Sequence, residues 1–99
     1  MADLLVLKFS GGVGLKEYEA VNGKLGIDMT TGKGDWPAGL QAHAAGVADD
    51  GTFVVTEVWE SRDAQHTFME NRLGSALAAG GITSAPDVTW APLAAFHTP

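Results

Sequence analysis

Cysteine is absent from this sequence of 99 residues, and basic residues are few. Without cysteine the chain has no disulfide, no thiolate nucleophile and no cysteine-ligated zinc or iron-sulfur site. Six Lys and Arg residues oppose twelve Asp and Glu residues, giving a formal net charge of -6, and the bases are scattered singly. Because no basic stripe or basic amphipathic helix is present, nucleic acid and anionic membranes are poor partners.

Long apolar runs are absent as well. The apolar stretch in MADLLVLKF is too short for the core of a signal peptide, and an acid precedes it where bases are expected. No stretch approaches the roughly 20 apolar residues that a membrane-spanning helix needs. We therefore expect a cytoplasmic protein without a membrane segment. Its length and its 45% apolar content suit a single domain over residues 1–99, for which a ferredoxin-like fold is predicted below.

Hydrophobic periodicity and turn residues divide the chain into six predicted elements. Apolar residues three and four positions apart predict a first helix that ends at Gly26. Ser61 is a suitable N-cap for a second helix, which two glycines end. The Gly-rich segment 10–14 predicts a turn, and segment 27–39 predicts a mobile loop. The predicted strands cover residues 4–9, 40–48, 52–60 and 88–96, and the predicted helices cover residues 15–25 and 62–79.

The order β-α-β-β-α-β is that of a ferredoxin-like α+β fold, a four-stranded antiparallel sheet with two helices on one face. The first and third predicted strands are the most apolar and should lie at the centre of the sheet. Their sequences, LLVLKF and TFVVTEVW, keep apolar residues on both faces, although the helices cover only one. We therefore expect another copy of the chain to cover the second face in a homodimer.

A hairpin over residues 49–51, Asp-Asp-Gly, joins the second and third predicted strands. If all three residues form the loop, with the glycine in the left-handed conformation, His43 stands opposite Glu57. If the loop contains only two residues, His43 faces Val58 instead. The Asp-Asp-Gly sequence favours the longer loop, since it suits a type I turn followed by a left-handed glycine. One face of the sheet then carries Gln41, His43, Glu57 and Trp59.

Other aromatic and polar residues are predicted to lie near this cluster. On the second helix, His66 and Arg72 fall on the half that faces inward with the apolar residues. Trp36, in the Gly-rich loop, suits either a lid over an apolar ligand or a packing contact beneath the loop. For Trp59 the alternatives are core packing and stacking on a ligand. A zinc site from His43, Glu57 and His66 is conceivable but follows no spacing rule.

His43 and Glu57 have a structural and a functional interpretation. They form either a cross-strand hydrogen-bonded pair that only stabilises the sheet, or a pair that acts on a ligand. An imidazole oriented by a carboxylate is a general base able to take a phenolic or carbon-bound proton. The sequence leaves both interpretations open.

The chain resembles the dimeric α/β-barrel superfamily, and within it small proteins similar to the antibiotic-biosynthesis-monooxygenase domain. The resemblance implies a homodimer with a pocket in each protomer between the sheet and the helices, lined in part by the strand-end Trp59. Relatives of this kind include cofactor-independent monooxygenases of polyketide quinols, polyketide cyclases, lactone isomerases and haem-degrading enzymes. The residues that carry the resemblance are His43, Asp50-Gly51, Val58-Trp59-Glu60-Ser61, Phe68, Arg72-Leu73 and Leu77.

Together these features predict an enzyme that oxygenates, cyclises or isomerises an aromatic or polyketide-like molecule without a cofactor. In this hypothesis His43 removes a proton, Glu57 orients the imidazole and Trp59 stacks on the substrate. Arg72 or Gln41 stabilises the oxyanion. The alternatives are a non-catalytic ligand-binding dimer and a haem-binding member with His66 as the axial ligand. For haem degradation the expected asparagine is unmatched, because Asn71 lies too far along the second helix.

Overall fold

The structure of the protein, a computed structural model, describes residues 2–10 and 12–99. Met1 lies outside the described residues, and so does Gly11, which belongs to the predicted turn over residues 10–14. The observed element order is the predicted one. The strands are β1 (Asp3–Phe9), β2 (Leu40–Val47), β3 (Phe53–Trp59) and β4 (Asp87–Pro92), and the helices are α1 (Leu15–Leu25), α2 (Arg62–Phe68) and α3 (Gly74–Ala79).

The sheet has the strand order β2-β3-β1-β4 with every neighbouring pair antiparallel, so the predicted ferredoxin-like fold is confirmed. Side chains alternate across a strand. The odd-numbered residues of the central strands, from Leu5 in β1 and from Phe53 in β3, are buried beneath the helices. The even-numbered residues face the other way, and of these only Val58 is buried. The buried core includes Leu5, Leu7, Phe9, Val21, Leu25, Phe53, Val55, Trp59 and Phe68.

The hairpin between β2 and β3 has the predicted three-residue loop. Ala48 N–H donates to the Thr52 carbonyl at 2.7 Å, and Gly51 has a φ of 90°, a left-handed value that glycine adopts without a side-chain clash. His43 therefore stands opposite Glu57. A β-bulge lies between Leu40 and Ala42, where two residues of β2 oppose one of β3.

The helices begin and end where capping residues were predicted. Gly26 ends α1 with a φ of 78°, and the Ser61 hydroxyl accepts the Ala64 N–H at 3.1 Å at the start of α2. The second predicted helix is interrupted, however, by a π-helical turn, Met69–Leu73, between α2 and α3. No helix in the described part of the chain is long and apolar enough to cross a membrane.

The last strand is shorter than predicted. It ends at Pro92 rather than at residue 96, and Phe96 is 42% exposed. The register explains the difference: β1 begins at Asp3, which pairs with Pro92, so later residues have almost no neighbouring strand. Leu93 N–H still donates to the Ala2 carbonyl at 3.0 Å, and the ladder ends there.

The Gly-rich loop over 27–39 has more internal hydrogen bonds than its composition suggested. Ile27 and Gly34 form an isolated antiparallel bridge, and the Asp28 carboxylate accepts the Thr30 N–H at 2.8 Å. The Trp36 indole N–H donates to the Gly32 carbonyl at 2.9 Å. These bonds fold the loop into a compact turn that holds Trp36 beside the sheet.

We predict that Gly34→Ala destabilises the protein by about 3 kcal/mol, since the backbone there is almost exclusive to glycine. Its φ is 141°, and a Cβ would lie 2.6 Å from the Ile27 Cα. Gly32→Ala is the control, because Gly32 has a φ of 72° with nothing within 4 Å of an added Cβ. It should cost about 1 kcal/mol. Urea unfolding measures both, and equal midpoints for the two variants would contradict this account of the loop.

Candidate active site

Four side chains from three elements form one hydrogen-bonded chain. The His43 Nδ1 lies 2.8 Å from the Glu57 Oε2, and the Trp59 Nε1–H donates to the Glu57 Oε1 at 3.1 Å. On its other side the His43 Nε2 is bonded to the Tyr18 hydroxyl. Because an ionised carboxylate only accepts hydrogen bonds, this arrangement puts the imidazole proton on Nδ1 and lets Nε2 accept from Tyr18. We call these four side chains the relay.

Glu57 is the buried charge at the centre of the relay. It is only 7% exposed, and a carboxylate without partners at that depth would cost several kcal/mol. The two donors, from His43 and Trp59, offset that cost. Trp59 is fully buried and packs against Phe68 with ring centroids 5.9 Å apart, so its indole N–H is fixed in position. The relay is therefore rigid at its sheet end.

Tyr18 forms the helix end of the relay. Burial raises the pKa of its hydroxyl above the ordinary value of 10.0, the Asn22 amide lowers it, and the charge of Glu57 raises it further. The net change is a rise, so the hydroxyl is neutral and donates to His43. The Tyr18 ring also packs on Phe53, with centroids 5.1 Å apart, which joins α1 to the sheet.

A cavity of about 60 Å³ lies between the sheet and the helices and borders the relay. A cavity needs about 10–15 Å³ to hold one water by this measure, so the space suits a few water molecules. Pockets for drug-sized ligands are typically about 300–1,000 Å³, so a ligand must displace side chains to enter. Tyr18, Asn22, His43 and Glu57 are the polar side chains of the lining apart from the Trp36 indole, and the rest is apolar, including Leu7, Phe9, Leu25, Val55, Phe68, Met69 and Leu73.

Trp36 covers one side of this cavity. Its ring centroid lies 5.4 Å from that of His43, and the side chain is 37% exposed. Arg72, in the π-helical turn, holds the loop that carries Trp36. Its Nη2 donates to the Asp35 carbonyl at 2.7 Å and to the Leu25 carbonyl at 2.9 Å. The π-helical turn thus carries the residue that bonds the loop. Turns of this kind are frequent at functional sites.

The structure brings together three of the predicted site residues at the cavity, His43, Glu57 and Trp36. Trp59 joins the relay but does not line the cavity, so its observed role is core packing and support of Glu57. Arg72 does not line the cavity either, because its guanidinium is engaged with the loop backbone.

Gln41 and His66 also lie away from the cavity, contrary to prediction. Gln41 is exposed because the β-bulge begins at that residue and breaks the alternation of β2. His66 is exposed on α2, and its ring meets Trp90 edge-on with centroids 6.5 Å apart. Within residues 2–10 and 12–99, no three His, Cys, Asp or Glu side chains are grouped to hold a metal.

Sequence reasoning missed Tyr18 and Asn22. The apolar positions that predict the first helix are Leu15, Tyr18, Val21 and Leu25, and the tyrosine counts there for its ring and not for its hydroxyl. Asn22 follows it by four residues, so a polar side chain on the buried face of α1 was a signal available in the sequence. The partner of Tyr18 across the sheet could not be identified without the relative position of α1 and β2.

The comparisons with known proteins agree with the fold. No protein-family model matches the chain, and no curated protein matches it. A candidate antibiotic biosynthesis monooxygenase from Chloroflexus aurantiacus J-10-fl superposes with a TM-score of 0.67 at 15% identity, covering 99% of this chain and 98% of that one. A monooxygenase from the gene ActVA-Orf6 of Streptomyces coelicolor, in complex with nanaomycin D, superposes with a TM-score of 0.62 at 18% identity, covering 99% and 92%.

These likenesses establish the class of fold to which the chain conforms. It is the small ferredoxin-like α+β fold of antibiotic-biosynthesis-monooxygenase-like proteins, and the predicted resemblance in fold is confirmed. At such low identity the likeness carries no site residue from one protein to another. The chemistry must therefore be argued from the relay and the cavity of this chain.

We predict that Tyr18 ionises at a higher pH in the native protein than in the urea-denatured protein. It is the only tyrosine in the chain, so the ultraviolet absorbance of tyrosinate reports it directly. Its folded pKa is raised, so the folded state keeps the proton longer and stability falls as the pH rises above about 10.

Glu57→Gln should lower the midpoint of the Tyr18 titration in the native protein, because the charge of the Glu57 carboxylate contributes to the rise in the Tyr18 pKa. Glu60→Gln, an exposed carboxylate three residues further along the chain, is the matched control and should leave the midpoint unchanged. Coincident titrations of the native and denatured protein would contradict the buried position of Tyr18.

Proposed function

We propose that this protein binds an aromatic or polyketide-like molecule in its cavity and acts as a homodimeric, cofactor-independent monooxygenase-like enzyme. The observation that carries the proposal is the relay, in which a buried carboxylate orients an imidazole and a tyrosine hydroxyl at an apolar cavity. The shared fold with the ActVA-Orf6 monooxygenase, which is in complex with nanaomycin D, supports the same class of reaction. Dimerisation, substrate and turnover are parts of this proposal.

The relay is suited to removing a proton from a bound phenol. The substrate hydroxyl gives its proton to the Tyr18 oxygen while Tyr18 passes its own proton to the His43 Nε2. The imidazolium that forms is stabilised by Glu57 across the 2.8 Å contact. An electron-rich phenolate in an apolar environment is readily oxidised by dioxygen, which makes a flavin or a metal unnecessary for this step.

The reaction balances with dioxygen as the sole oxidant. A phenol with a free ring C–H loses that hydrogen and its hydroxyl proton and becomes a quinone. One oxygen atom of dioxygen forms the new ring carbonyl, and the other leaves as water. Dioxygen first bonds to the ring carbon that carries the hydrogen and forms a peroxide there. The C–H and O–O bonds of this peroxide then break to give the quinone and water, and the proton held by His43 is transferred to the departing oxygen.

Entry of a substrate requires the cavity to open, since its volume suits only a few water molecules. Trp36 is the side chain best situated to move, because it is partly exposed and belongs to a loop. Displacing the indole from His43 would widen the cavity on the side of β2. Arg72 holds the loop from the other side and limits this movement to the part that carries Trp36.

A second function, ligand binding without catalysis, is favoured by the small and largely apolar cavity. In that case the relay serves only to bury Glu57 at low cost. The third possibility, haem binding, has less support, because His66 is exposed and does not line the cavity. Mass spectrometry of a bound phenol separates the first two, because an enzyme converts it to a quinone and a binder releases it unchanged.

The proposed dimer rests on the sheet face turned away from the helices. Leu4 and Val6 of β1 are partly exposed on that face, and Val58 of β3, which pairs with Leu4, is 7% exposed there. The edge strands add small residues, including Ala42 beside Val58 and Ala91 beside Leu4. The helices α1, α2 and α3 pack on the other face, and a second copy packed sheet to sheet would remove the partly exposed Leu4 and Val6 from water.

We predict that His43→Ala lowers turnover of an accepted phenol by roughly a hundredfold or more, the usual effect of losing a general base. Glu57→Gln should lower it in the same direction, because the amide no longer stabilises the imidazolium. Tyr18→Phe should do so because it interrupts proton transfer to His43. Oxygen consumption and quinone formation measure the rate.

The matched controls are His97→Ala and Glu60→Gln, which change exposed residues of the same two types. Both should leave turnover unchanged. Full turnover in His43→Ala and Glu57→Gln would remove the proposed mechanism. Quinone formation that continues in Tyr18→Phe alone would mean that the substrate reaches His43 directly.

For the dimer we predict that Leu4→Glu yields monomers at concentrations at which the wild type is dimeric, since it buries a charge in the apolar sheet face. Leu15→Glu is the matched control, because Leu15 is 54% exposed at the start of α1, on the helix side. It should leave the mass unchanged. Native mass spectrometry distinguishes the two states, and a wild-type monomer would contradict the proposed dimer.

A further inference from the structure

Asn22 is a polar side chain that lines the cavity but does not belong to the relay. It is 4% exposed and lines the cavity. Its amide is close enough to the Tyr18 hydroxyl to lower the pKa of that group, but its Nδ2 forms no hydrogen bond with Tyr18 or with any other described residue. It follows Tyr18 by four residues on α1, so the two side chains project from the same side of the helix. Buried amide donors are nearly always paired, so an unpaired one at a cavity wall points to a missing acceptor.

The other polar groups of the cavity already have partners. Tyr18, His43 and Glu57 are bonded within the relay, and the Trp36 indole donates to the Gly32 carbonyl. In the described part of the chain, neither Lys nor Arg lines the cavity. A bound anion would therefore lie near the Glu57 carboxylate without a cation to neutralise it. A ligand group that replaces water as the acceptor of the Asn22 Nδ2–H is therefore a neutral one.

We infer that Asn22 is a specificity residue whose Nδ2–H donates to a neutral carbonyl oxygen of the ligand, as found in a ketone, an ester or a quinone. This inference rests on the proposed function only in taking the cavity as the binding site. Asn22 and Tyr18 then contact two different oxygens of one aromatic molecule. Asn22 recognises the carbonyl, and the relay takes the hydroxyl proton.

A buried donor discriminates strongly between ligands that carry its acceptor and ligands that lack it. The apolar analogue leaves the amide unpaired on binding, whereas the carbonyl ligand supplies the bond. Ligands that arrive as anions, such as carboxylates and phosphate esters, are disfavoured, because the cavity contributes a carboxylate and neither Lys nor Arg, and they bring no hydroxyl proton that would convert His43 to the imidazolium. The expected ligands are thus uncharged aromatic carbonyl compounds.

The test measures binding of menadione and of methylnaphthalene, its analogue without carbonyls, by calorimetric titration of the full chain. Quinone addition to thiols does not interfere, because the chain has no cysteine. We expect the wild type to bind menadione about tenfold more tightly. Asn22→Leu, of similar size, should bind both molecules equally. Asn71→Leu, a change of the same kind at an exposed position, should keep the wild-type preference.

Urea unfolding supplies a second test. If Asn22 had only a structural role, Asn22→Leu would lower the urea midpoint. If Nδ2 is unpaired in the free protein, Asn22→Leu should unfold at the same or a higher urea concentration than the wild type. A lower midpoint would mean that the amide is bonded without a ligand and would overturn the inference. The inference is also overturned if Asn22→Leu keeps the preference, or if the wild type binds neither molecule or both equally.

The same titration on His43→Ala separates this inference from the proposed function. Loss of turnover with an intact preference for menadione supports both. Turnover that survives in His43→Ala, with a preference that Asn22→Leu removes, contradicts the mechanism and supports the role of Asn22.

Discussion

The buried carboxylate of Glu57 is the group around which the rest of the site is arranged. A charge at that depth is tolerated only with hydrogen-bond donors on both oxygens, and His43 and Trp59 supply them. His43 can do so because the hairpin register sets it opposite Glu57, and Trp59 because it is two residues further on the same face. With its Nδ1 engaged, the imidazole presents Nε2 to Tyr18 on α1, which ties the helix layer to the sheet through a polar contact.

The parts of this arrangement that depend on local chemistry could be predicted from the sequence. The Asp-Asp-Gly loop favoured the observed register over the alternative with a two-residue loop, because it suits a type I turn followed by a left-handed glycine and then pairs His43 with Glu57. Ser61 and Gly26 defined helix ends in the same way. The two-residue period of a strand put Glu57 and Trp59 on one face, and the register added His43 to it. Apolar residues on both faces of the central strands left open which face the helices cover.

The parts of the site that depend on packing between elements could not be predicted from the sequence. The β-bulge at Gln41 has no marker in the local sequence, yet it turns that residue out to solvent. The helical wheel assigned Arg72 by assuming an unbroken α-helix, and the π-helical turn beginning at Met69 changes the direction of the side chains from there on. His66 precedes that turn, at the edge of the inward half of α2, and it is exposed. The contact between Tyr18 and His43 requires knowledge of how α1 crosses the sheet, which periodicity does not supply.

Arg72 holds the loop through the backbone carbonyl of Asp35 and also bonds the Leu25 carbonyl at the end of α1, and its contact with the exposed Asp35 carboxylate at 3.3 Å adds little. Because these hydrogen bonds go to main-chain carbonyls, they depend on the path of the backbone and not on the identity of the side chains in the loop. Evolution, or a mutagenesis library directed at Trp36 and its neighbours, could therefore exchange those side chains and redraw the shape of the entrance. The attachment of the loop to the helical layer would survive each exchange, provided that the glycines that set its path are kept.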